Sequence, residues 1–375
     1  MHYLQYYVEQ GSKLLANLET DENPLRSLII PRALMSPLLM KAVCAVSAIH
    51  LGNRYHGGLN SETTATDYYT RTLRGLRSSL SESPSSLFRD DTILAVAFLC
   101  KYEIVRGSVK QWTVHLDALQ KLVISRGGFA CLDRETAEFI WGLFMYAHNV
   151  AKITNRRQSA AITPGPINVS ITKLDIYVGY TEEIIKICAR IADIPYLNID
   201  SSAIRLEVYD IDESLRNWTH STRQYIIPKG ITEATLTRLQ MVADCFHDAA
   251  YIYLHSTLER MSYNSACTLP SSWASLISVG KSEALHACLD RIAVSPLDNQ
   301  CEYSALTFPL FIAGCESQTL EERRIVVHGL SMLEVNFGIG NVKRVKELLN
   351  VLWKEKGSVH WQDVLEQLQW DLILA

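Results

Sequence analysis

The run Ile93-Leu94-Ala95-Val96-Ala97-Phe98-Leu99-Cys100 leaves almost no polar break on any side of a helix. A helix that is apolar nearly all round has no face to give to water and must be covered on several sides. Asp90 or Asp91, just upstream, can cap its start with a short acceptor side chain. Gly107 ends the run, and a second helix begins near Trp112. There Trp112, His115, Leu116, Leu119, Leu122 and Val123 recur at steps of three and four, the mark of one buried stripe. Gly127-Gly128 then stops the second helix. The spacing predicts a buried helical hairpin over 90–128, with the rest of the chain packed around it.

Helical periodicity dominates elsewhere, and no series of alternating strands is legible. A first helix is expected over about 3–18, then one from Pro37 with Leu39, Ala42, Val43, Val46 and Ile49 inward. Ala65 to Leu80 follows, with Tyr68, Tyr69, Leu73, Leu76 and Leu80 facing the core. The segment from about Arg134 to Asn155 presents Phe139, Leu143, Tyr146 and Val150 on one side. Residues 156–172 are the longest non-periodic stretch and the best candidate subdivision. Beyond it, helices are expected near 181–193, 201–219, 231–261, 281–292, 320–337, 341–356 and 359–373. Successive helices without strands make this an all-α chain, a large multi-helix bundle of layered helix pairs with no significant sheet. No fixed-period repeat supports a solenoid. The short loops elsewhere favour a single domain over 1–375.

With 48% hydrophobic residues in 375, a large core is affordable. The formal charge of −4 is small, and no basic run of the kind that neutralises phosphates is present, so direct nucleic-acid binding is not implied. The N-terminus lacks the basic start and apolar core of a signal peptide, and no stretch is long and apolar enough for a membrane span. The chain therefore reads as soluble and intracellular. Nine cysteines, at 44, 100, 131, 188, 245, 267, 288, 301 and 315, are too scattered for paired zinc-ligand spacing. They read as core thiols, and no metal site or cofactor is expected.

The hairpin residues Tyr102-Glu103, Trp112, His115, Leu116, Leu122 and Arg126-Gly127-Gly128 resemble the central signature of the fungal-specific transcription factor domain. This is the regulatory middle homology region found downstream of zinc-cluster modules. Pro37 to Leu51, Tyr251 to Leu254, and Phe308 to Glu316 with Arg323 or Arg324 downstream are similar to further parts of it. Trp353, Trp361 and Trp370 to Leu374 look like its closing helices, so the resemblance spans nearly the whole chain in order. Regulators of this family carry six cysteines of a binuclear zinc cluster upstream, and this sequence contains no such cluster. The resemblance thus implies a regulatory body that does not read DNA by the family's usual route. It implies a nuclear location and binding of an apolar metabolite, a protein partner or a second copy of the chain.

Several constellations invite a sharper reading. Trp112, His115, Tyr251, Phe308 and Phe311 are the candidate ligand-binding residues, because aromatics between helices commonly line apolar pockets. Phe308 to Gly314 could line a cavity, and tight helix packing is the favoured reading of that stretch. A buried His115 bonded to Glu103 or Tyr102 reads as structural; with an open cavity beside it, those three would be the acid–base residues of an enzyme. That alternative is a cytoplasmic cyclase, isomerase or metabolite-binding protein of fungal secondary metabolism, working without a cofactor. A cavity on the order of 300 Å³ around His115 would favour it. His247 and His255 lie about 12 Å apart along a helix, too far to share a metal ion, and with Tyr251 and Asp248 are expected on a half-exposed face. Asp90-Asp91 lacks the partner motif of the magnesium-binding terpene cyclases, and Asp210-Ile211-Asp212-Glu213 is similarly isolated.

Overall fold

The computed structural model describes residues 2–55, 58–82, 88–154, 173–197, 201–222, 224–264, 273–354 and 359–374. Of the described residues 79% are helical, and none of them forms a strand or sheet. An isolated bridge between Lys173 and Ile226 is the one extended pairing recorded there. The expected all-α architecture is what forms.

The hairpin forms as Asp90–Arg106 and Gln111–Ser125. Its first helix buries Ile93 through Cys100 almost completely, as an all-round apolar helix must. Helix Pro37–Tyr55 packs on it from one side and Gly340–Lys354 from another. Gly107 sits in the left-handed region at φ 79° and closes the helix with Gly107 N–H to Ile104 O at 3.0 Å and Ser108 N–H to Glu103 O at 2.9 Å. Its backbone also meets Gly340 so closely that a Cβ on Gly107 would lie 2.7 Å from the Gly340 carbonyl carbon. Glycine is required on both sides of that crossing.

Asp90 and Asp91 do not cap their own helix, whose N-cap is Arg89 without a side-chain bond. Both lie in the first turn, where carboxylates favour the positive helix end. Asp90 instead accepts from the Asp133 N–H at 3.0 Å, and Asp133 in turn caps helix Arg134–Thr154 through Thr136. Asp91 pairs with Arg89 at 3.1 Å and Arg32 at 3.6 Å. The two acidic residues tie neighbouring helices together.

Behind the hairpin runs the longest helix, Glu233–Asn264, flanked by Glu182–Asp193, Lys281–Val294 and Thr307–Glu316. The buried apolar cluster is continuous from Tyr7 to Leu374 and takes residues from both sides of 156–172, a stretch that lies largely outside the described residues. Two details differ from the periodic reading. On helix Gly58–Glu82, Leu76 is buried but Leu73 and Leu80 are exposed, because only one narrow stripe meets Pro37–Tyr55. The last helix, Trp361–Leu368, stops early at Gln369 (φ 53°), and residues 370–374 continue without helical structure while Leu372, Ile373 and Leu374 are buried. Trp370 N–H to Leu365 O at 3.0 Å closes that helix with the same motif glycine supplies at 107.

Candidate functional site

That buried tail meets the hairpin at Trp112. The fully buried indole donates from Nε1 to Asp371 O at 2.6 Å, and Asp371 N–H donates to Val109 O at 2.7 Å. Thr154 Oγ1 donates to Leu372 O, and Tyr146 OH to Leu374 O at 3.4 Å. Three tail carbonyls and the Asp371 N–H thus find partners on the hairpin and on helix Arg134–Thr154 rather than in a helix of their own.

His115, one turn along from Trp112, does not pair with Glu103 or Tyr102. Its Nε2 meets Tyr69 OH at 2.8 Å, so the partner comes from helix Gly58–Glu82. Tyr69 stacks on Tyr102 with centroids 4.6 Å apart, and the Tyr102 hydroxyl and Glu103 Oε2 are buried without a hydrogen-bond partner. Burial holds His115 down at about 4, so its ring is neutral at physiological pH. Burial first, and then the Glu103 carboxylate beside it, raise Tyr69. The four residues form a polar knot joining three helices, Gly58–Glu82, Asp90–Arg106 and Gln111–Ser125, with a phenol and a neutral imidazole that keep their protons in place.

The remaining candidates lie apart from this knot. Tyr251 reaches Ser278 Oγ at 3.3 Å. His247 stacks on Trp218 and bonds to Leu215 O at 2.9 Å, while His255 bonds to Val279 O at 2.9 Å and Asp248 pairs with Arg291. The expected half-exposed face is in fact mostly buried, because helix Ser201–Arg216 and residues 276–280 cover it. Phe308 packs on Phe246 with centroids 5.1 Å apart, and Phe311 on Trp361 at 5.3 Å. Beside them a Cβ on Gly314 would sit 2.8 Å from Leu349. This stretch is tight helix packing. No ring contact or hydrogen bond among the described residues joins Phe308, Phe311 or Tyr251 to Trp112 or His115.

A cavity of about 50 Å³ opens elsewhere, where distant segments meet. Its walls include Leu15 and Asn17 near the N-terminus, Lys101 and Ile104 of the hairpin, Tyr146, Tyr177 and Ile373 of the tail. None of the five aromatic and histidine candidates lines it. Lys101 faces a mostly apolar wall. Its Nζ donates to Leu15 O at 2.6 Å and stands 4.8 Å from the Tyr177 ring centroid. Lys101 is partly buried, with some of its surface accessible, as for a side chain lining a cavity. Burial pushes its ammonium down to about 7. The sequence carried a signal for it: a lysine directly after an all-round apolar run has little solvent face to occupy.

Among the described residues no group of His, Cys, Asp and Glu is placed to hold a metal ion, and no helix is long and apolar enough to cross a membrane. Compared with known proteins, residues 2–375 match the family model described as the fungal specific transcription factor domain. No curated protein and no solved structure matches the chain.

Proposed function

As the chain belongs to the fungal-specific transcription factor domain family along its whole length, we propose that residues 1–375 act as one effector-responsive body that controls transcription in the nucleus. The family supports a regulatory role in general; the response to a small molecule is the finer part of the reading.

One observation carries it. The cavity is walled by the N-terminal segment, the hairpin, helix Arg134–Thr154 and the C-terminal tail together. An occupant touching segments so far apart in sequence binds one packing of them better than another, and such unequal binding is what shifts a population. Trp112 holds the tail through Asp371 and His115 holds helix Gly58–Glu82 through Tyr69. In this reading both residues pass on the state of the site from its flank. A protein partner or second copy of the chain would act through the same packing.

The test is a reporter assay in which residues 1–375 are joined to an unrelated DNA-binding module. Reporter transcription that departs from that of the module alone supports the reading. Output equal to the module alone, with the fusion present and folded, refutes it.

A further inference from the structure

Lys101 is unusual among the covered lysines of this chain. Lys281 has Glu259 and Glu316, Lys152 has Asp193, Lys186 has Glu182, and Lys346 has Glu334. Among the described residues no carboxylate pairs with Lys101, and a backbone carbonyl is its one hydrogen-bond acceptor. An ammonium has three N–H donors, so two are left over. Buried charge without a counter-charge is disfavoured strongly enough that proteins rarely keep one without use.

The neighbouring polar groups do not bond to the ammonium, and none of them carries a negative charge. Asn17 Nδ2 donates to Tyr177 O at 2.6 Å, and its Oδ1 accepts from Ser304 Oγ at 2.9 Å. The Tyr177 hydroxyl, in the same wall, is buried with no partner. The charge left unanswered here is positive and the spare ammonium hydrogens are donors, while the other walls are mostly aliphatic. Such a site suits an occupant with one anionic, acceptor-rich end and an apolar remainder.

We propose that this cavity binds a small monocarboxylate, its carboxylate on the Lys101 ammonium and its short chain among Ile104, Leu143 and Ile373. A single water needs roughly 10–15 Å³ of such space, so about 50 Å³ holds a few heavy atoms. That fits an acid of about two to four carbons and excludes a nucleotide or a fatty acid. A doubly charged phosphate would leave a charge unpaired against aliphatic walls. As an effector this acid rests on the regulatory reading above; as a bound anion it does not.

The test is calorimetric titration of the full chain with acetate, propionate and butyrate near pH 6, with butyramide as the neutral isostere and sodium chloride as the ionic control. At least one of the acids should bind, with butyrate roughly tenfold or more tighter than butyramide, because an unpaired buried charge discriminates strongly. Lys101→Met should erase that preference. Ala147→Leu, which narrows the cavity and keeps the lysine, should weaken binding of every acid. Should Ala147→Leu fail to fold, the contrast between wild type and Lys101→Met decides alone. Equal affinity for butyrate and butyramide, an unchanged preference in Lys101→Met, or no binding by any acid overturns the proposal and leaves a cavity of solvent. A responsive reporter beside a silent titration would remove the carboxylate site and spare the regulatory reading. The reverse pair of results would remove the regulatory reading alone.

Discussion

Replacing Lys101 by methionine should make the ligand-free protein more stable, and by an amount that depends on pH. Burial lowers the ammonium from 10.5 to about 7. A gap of that size corresponds to a cost on the order of 5 kcal/mol for keeping the charge inside. The bond to Leu15 O and the contact with the Tyr177 ring are lost in the variant, which returns roughly 2–4 kcal/mol. A net gain of about 1–3 kcal/mol remains at pH 6. Below 7 both folded and unfolded lysine carry the proton, so the full cost is present. Between 7 and 10.5 the folded state sheds its proton first, and wild-type stability climbs relative to the variant until the cost is gone. Urea unfolding followed by circular dichroism at about pH 6 and about pH 9 measures both quantities. A variant less stable than wild type at pH 6, or a gap that does not shrink with rising pH, would refute the reasoning.

Three further outcomes are expected. Gly340→Ala places a Cβ 2.6 Å from the Arg106 carbonyl carbon and should lower stability by about 3 kcal/mol or lose the fold, read by thermal melting; a wild-type melt would show that the crossing has slack. Trp112→Phe keeps most of the buried ring but drops the bond to Asp371 O, so it should cost about 1–3 kcal/mol and expose residues 370–374 to carboxypeptidase. Tail cleavage at the wild-type rate would contradict this. Purified chain should carry no stoichiometric zinc by elemental analysis and show no salt-sensitive affinity for duplex DNA, since no ligand cluster is assembled among the described residues.

The fold was legible because its signals are local. The apolar run at 93–100, the stripe from Trp112 to Val123 and the glycines at 107 and 127 each specify a helix or its end over a few residues. The tail was not legible, since Trp370-Asp371-Leu372-Ile373-Leu374 offers nothing that distinguishes a buried helix from buried irregular chain. Its helix ends on Gln369 in a left-handed conformation that glutamine seldom adopts, so the stop carries no glycine to mark it. The Tyr69–His115 bond joins residues 46 apart, and no periodicity pairs them. Lys101 was readable in principle. It directly follows the apolar run at 93–100, on a helix buried over most of its circumference, where a lysine finds little open surface.

The chain belongs to a family of transcription regulators, and in the reading proposed above its packing answers to what occupies the cavity between hairpin and tail. Hydrogen exchange of the whole chain with and without saturating butyrate measures this most directly, because exchange reports local opening segment by segment. The account predicts slower exchange in residues 90–106 and 370–374 of the wild type and none in Lys101→Met. Superimposable exchange in the wild type would contradict it.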